Sequence, residues 1–149
     1  MSINLDILNN YDVIGLDFDK TLVDSPNSAV LIDYILNNRH KKYYIITFRT
    51  HNKHLFIPKI LKNLYKIDFF KENIIKKVIN IDDNSYKNYK IGQILLETNQ
   101  LFDNQYLIDD YENWKGVVCK KVGIQIIVAD DIMIKNGLEE NNIKFLKFK

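Results

Sequence analysis

The apolar run Val13-Ile14-Gly15-Leu16 closes directly on Asp17-Phe18-Asp19, and this junction constrains the fold more than any other feature of the chain. Four apolar residues without polar alternation read as a strand buried on both faces, as inside a parallel sheet. Ending such a strand on two like charges is costly unless a cation, a proton or a phosphate-handling task holds them there. What the other strands bring to the same end is therefore the question.

Apolar runs of strand length alternate with helical patterns along all 149 residues. After the first strand comes a turn at Asp24-Ser25-Pro26-Asn27. Ser28 is placed to cap a helix through about Asn37, with Val30, Leu31, Tyr34 and Ile35 on one face. Tyr43 to Ile46 reads as the second strand. Helical patterns cover about 53 to 66, with Pro58 as a kink or break, and about 71 to 77. Val78 to Ile81 reads as the third strand. A helix from about Ser85 turns Ile91, Ile94 and Leu95 inward. Tyr106 to Ile108 reads as strand four and Ile124 to Val128 as strand five, and the tail "IKFLKF" as an edge strand. This alternation predicts an α/β fold: a three-layer, doubly wound, Rossmann-like sheet of five mostly parallel strands, with helices on both faces.

Composition fits one domain over residues 1–149. Hydrophobic residues make up 46% and charged residues 27%, ordinary globular usage. A net charge of +2 permits an anionic substrate without announcing a nucleic-acid binder. The single cysteine, Cys119, excludes an internal disulfide and fits a reducing compartment; flanked by apolar Val118, it reads as core filler. No apolar run approaches the ~18 residues of a membrane span, and no basic region precedes an apolar core at the N-terminus. The expectation is a soluble, cytoplasmic protein without membrane contact.

In such a sheet, ligands bind beyond the carboxyl ends of the strands. Strand one ends in Asp17 and Asp19, strand two in Thr47, and strand four in Asp109 and Asp110. Alternation puts Asp17 and Asp19 on one side and Phe18 on the other. Carboxylates converging on one crevice call for a hard cation, and few oxygen ligands suit Mg2+. "INIDD", ending at Asp83, and "IVADD", ending at Asp131, compete with Asp109 and Asp110 as strand-end acids, but Asp82, Asp83, Asp130 and Asp131 read as loop solvation or helix caps. His51 and His54 lack a third ligand and read as solvated. Tyr111 and Trp114 read as packing beneath the acidic loop.

The order of these residues resembles the signatures of the haloacid dehalogenase-like superfamily. "LDFDKTLV" resembles its first motif, "YYIIT" its second and "LIDDYEN" its fourth. For the lysine of the third, "YKNYKIGQILLE" offers Lys87 and Lys90, of which Lys90 directly precedes the apolar pattern. The family often has Gly or Glu where this chain has Lys20, and Asp where it has Asn113. The resemblance implies an Mg2+-dependent phosphatase working through an aspartyl-phosphate. Asp17 would be the nucleophile and Asp19 the acid and base. Thr47 and Lys90 would grip the phosphoryl group, with Arg49 and Lys20 toward the substrate. Asp17, Asp19, Asp109 and Asp110 would hold the metal, supported by Asn113.

The segments between Asp17 and Thr47, and between Thr47 and Asp109, are used up by the predicted elements, so no sizeable cap domain fits. An uncapped member of this family implies an open crevice and a large phosphorylated substrate. Similarity in layout to polynucleotide phosphatases and nucleotidases favours nucleotides or nucleic-acid phosphate ends. The start of the chain also resembles phosphoprotein phosphatases of the polymerase-tail type. A catalytically inactive binding module on the same fold is the rival of another class.

Overall fold

The computed structural model describes residues 3–49, 53, 55–81, 87, 90, 91, 93, 94, 98 and 105–148, the last run with side chains from 112 onward. Five strands, β1 (Val13–Leu16), β2 (Lys42–Thr47), β3 (Ile75–Asn80), β4 (Ile126–Ala129) and β5 (Lys144–Lys147), form one sheet in the order β3-β2-β1-β4-β5. Every neighbouring pair is parallel, so the expected α/β sheet is present, with β1 at its centre.

Helices α1 (Ser28–Asn37) and α2 (Ile57–Tyr65) cover one face, and α3 (Gln105–Val122) and α4 (Lys135–Glu140) cover the other. Strand alternation produces the two cores. Ile14, Leu16, Tyr43, Ile45, Ile126 and Val128 join Leu31, Ile35 and Leu61 of α1 and α2. Ile46, Ile127 and Ala129 join Cys119 of α3 and Leu138 of α4. The middle of β1 is tight: a Cβ on Gly15 would stand 3.1 Å from the Ile124 side chain.

Several local expectations are corrected. Tyr106 to Ile108 belongs to α3 and not to a strand. Three apolar residues are too few to tell strand from helix. The repeat Trp114, Val118, Val122, all packed on the core, carries the helical period through the segment. The helix expected over 71 to 77 gives way to β3, which starts at Ile75 because its β-branched residues suit a strand better. Pro58 sits in the first turn of α2, where its missing N–H is no loss. Ser28 lies inside α1 behind Asn27 and donates to the Thr21 carbonyl at 2.7 Å. Ile91 and Ile94 are exposed, and Leu95 lies outside the described residues. The edge strand expected in the tail is β5.

Candidate active site

The odd positions of β1 face the α3 layer. Asp17 continues that parity one step past the strand, its N–H still donating to the Val128 carbonyl at 2.9 Å. α3 presents Lys115 to it, with Nζ 2.9 Å from Asp17 Oδ1. The Phe18 N–H donates to the same oxygen at 2.9 Å. Oδ1 is thus held twice.

Both groups are withdrawn from water, Lys115 at 1% exposure and Asp17 at 9%. Burial is the stronger influence on Asp17 and raises its pKa to about 6. Lys115 opposes this by charge and hydrogen bond, Asp130 adds to it by repulsion, and the Phe18 N–H lowers it. The lysine's other neighbour is the Phe48 ring, its centroid 4.6 Å from Nζ, which supplies quadrupole attraction in place of water. Two glycines let α3 come this close to α4. A Cβ on Gly137 would lie 2.1 Å from the Glu112 carbonyl oxygen, and one on Gly116 2.3 Å from that of Gly137.

β4 is buried throughout and, like β1, ends on two acids, Asp130 and Asp131. Asp131 accepts from the Met133 N–H at 3.0 Å and starts the 3-10 turn Ile132–Ile134. Asp17, Asp19, Lys20, Lys115, Asp130 and Asp131 line one cavity of about 370 Å3, with Phe48 and Met133 as its apolar flank.

From β2, buried Thr47 accepts at Oγ1 from the Arg49 N–H at 3.1 Å. The Arg49 guanidinium lies 4.8 Å over the Phe18 ring. It donates from Nε to Asp19 Oδ2 at 3.1 Å and from Nη2 to Oδ1 at 2.8 Å. The hydrogen bond to Asp19 is the main reason its pKa is raised. Lys20, beside Asp19, has φ 58, a left-handed backbone that L side chains adopt at a cost.

Asp17, Asp19, Lys20, Thr47 and Arg49 therefore stand together at the ends of β1 and β2. Lys90 does not join them through Asp17: it is exposed, as is Lys87, and the lysine on Asp17 is Lys115. Asp109 and Asp110 lie within α3 and not at a strand end, their side chains outside the described ones. The strand-end acids are Asp130 and Asp131. The capping role expected of the latter pair holds for Asp131, which also lines the cavity. Asn113 packs at the α3–α4 crossing against Gly137. Trp114 packs on Phe48 with ring centroids 5.2 Å apart, and Cys119 is buried. His51, His54, Asp82 and Asp83 lie outside the described residues. The signal given too little weight was "IIVADD", a strand run closing on acids that competes with Asp109 and Asp110 for the same place, with a lysine next to glycine on the helix before it.

Among the described residues, no three His, Cys, Asp or Glu side chains are gathered closely enough to hold a metal ion on their own. Asp17 and Asp130 line one cavity and repel each other, which fits Mg2+: it takes one or two carboxylates and completes its shell with water and substrate oxygens.

No family model matches the chain, and no curated protein matches it. A solved structure of an uncharacterized protein from Corynebacterium glutamicum ATCC 13032 Kitasato is similar over 91% of this chain and 83% of its own, at 10% identity and a TM-score of 0.44. Among the described residues no helix is long and apolar enough to cross a membrane.

Proposed function

We propose that the chain is an Mg2+-dependent phosphomonoester hydrolase of the haloacid dehalogenase-like type, acting through an aspartyl-phosphate on Asp17, with nucleotides or nucleic-acid phosphate ends as substrates. One observation carries this reading. A buried strand-end carboxylate is held on one oxygen by a buried lysine and a backbone N–H, inside a cavity that collects three further acids.

An ester phosphorus is shielded from attack by its own charge, and a covalent intermediate with charge compensation eases both steps. Asp17 attacks phosphorus in line. Its raised pKa, about 6, leaves it largely ionised above pH 7 yet more basic, hence more nucleophilic, than an ordinary aspartate. Lys115 stays beside the reacting oxygen and offsets negative charge as it spreads over the phosphoryl group. Thr47, whose hydroxyl accepts from Arg49, has its own proton to donate to a phosphoryl oxygen. Asp19 protonates the leaving oxygen and then takes the proton of the water that hydrolyses the intermediate. Asp17 and Asp130 would hold Mg2+, which would neutralise phosphate charge.

Hydrolysis of p-nitrophenyl phosphate with Mg2+ tests the proposal, with an expected loss of about 10³-fold or more in Asp17→Asn. A wild type without Mg2+-dependent turnover on this ester, mononucleotides and 3'- and 5'-phosphorylated oligonucleotides would point instead to a binding module. That second reading draws on the Arg49 fork, which engages both oxygens of Asp19.

A further inference from the structure

Arg49 and Asp19 are unequal partners. The arginine is anchored: its N–H rests on Thr47, and its guanidinium covers Phe18, a ring fully buried in the core. The aspartate side chain is 50% exposed and stands between two hollows. One is the cavity with Asp17; the other, of about 420 Å3, is lined by Lys20, Asp24, Ser25, Asp130 and Lys147. Of the two, the aspartate is the one with space to swing.

The guanidinium fork takes one lone pair on each oxygen of Asp19 and holds the carboxylate in place. The fork, for its part, fits phosphate as well as carboxylate. We propose that Arg49 is an exchange site: a phosphate monoester entering beside Asp17 takes the guanidinium from Asp19, and this exchange frees the Asp19 carboxylate to swing. The inference rests on reading the cavity as a phosphatase site and adds a specificity rule to it. A monoester dianion displaces a carboxylate from a cation more readily than a singly charged diester does. Arg49 thus couples the charge of the substrate to the freedom of Asp19, and diesters are disfavoured at that step.

Competition for one cation has a signature that simple contact lacks. Binding of inorganic phosphate, measured by calorimetry with Mg2+ at fixed pH, is compared in wild type, Asp19→Ala, Arg49→Ala and the double variant, with Arg49→Gln standing in if Arg49→Ala does not fold. Exchange predicts that Asp19→Ala tightens phosphate about fivefold or more when Arg49 is present and less than about twofold when it is absent. Equal tightening in both backgrounds is a general field effect and overturns the exchange, as does weaker binding in Asp19→Ala. In turnover, the loss in Arg49→Ala falls more on KM than on kcat; a loss confined to kcat also overturns it. If every protein binds phosphate but none hydrolyses an ester, the phosphatase reading falls, and the exchange is judged on the binding cycle alone. If none binds phosphate, both fall.

Discussion

Lys115 and Asp17 are each expensive to bury and together tolerable. Removing one partner of a buried pair normally leaves an uncompensated charge. Asp17 has an escape, since it can take up a proton. In Lys115→Met, burial and the repulsion of Asp130 act on Asp17 without the opposing lysine, so its pKa climbs above about 6 and the proposed nucleophile is protonated near neutral pH. The expected result is a fall in kcat/KM of about 10³-fold or more, with the acidic limb of the pH–rate profile moved to higher pH. The protein should remain folded. A pH–rate profile of the two proteins checks both parts. Lys20 offers a contrast one residue past Asp19. Its left-handed backbone, φ 58 and ψ 19, suits glycine, and Lys20→Gly should add about 1 kcal/mol of stability by urea titration.

Among the elements, the α3–α4 crossing determines where Lys115 stands. With a Cβ 2.1 Å from the Glu112 carbonyl oxygen, Gly137→Ala must push the two helices apart, at a cost of about 3 kcal/mol or more. Activity should fall further than the lost stability explains, because the displaced helix carries Lys115. Gly123 ends α3 at φ 87 with open space around it. Gly123→Ala therefore meets only backbone strain, about 1 kcal/mol, and should leave kcat near wild type. Urea titration and steady-state rates on the two variants separate crossing from cap. The same element shows where the sequence was legible. β1, β2 and β4 are nearly unbroken apolar runs, a signal strong enough to fix a parallel sheet, and the positions directly after β1 and β2 were legible because a strand end admits little choice of position. Tyr106-Leu107-Ile108 was too short to declare itself, and taking it for a strand moved the expected acids to Asp109 and Asp110. It also placed the expected lysine upstream, at Lys87 or Lys90, whereas the lysine paired with Asp17 is Lys115. Lys115 in mid-helix has nothing in its own identity to mark it as buried; the hint was Gly116 beside it, and its meaning needs Gly137 across the crossing.

For the whole molecule, the buried acid at the sheet's centre ties folding to pH and, on the proposed reading, to metal. Asp17 rises from its ordinary 3.8 to about 6 in the fold. Between those values the native protein holds a proton that the unfolded chain has released, so stability declines as pH rises through that window and then levels off. At about 1.4 kcal/mol per pH unit the decline is at most about 3 kcal/mol. In EDTA the chain should accordingly melt at a higher temperature at pH 5 than at pH 7.5, apart from whatever its other groups contribute, and Asp17→Asn should lose this part of the slope. On the proposed reading Mg2+ would act in the opposite sense. It would bind the carboxylate form, so at pH 5 it would have to displace a proton from Asp17, whereas at pH 7.5 the site is already ionised. Added Mg2+ should therefore raise the melting temperature more at pH 7.5 than at pH 5, and the EDTA slope should flatten. Scanning calorimetry at the two pH values, with Mg2+ and with EDTA, reads both effects. A Mg2+ increment that is equal at both pH values, or present undiminished in Asp17→Asn, would place the ion somewhere other than on Asp17.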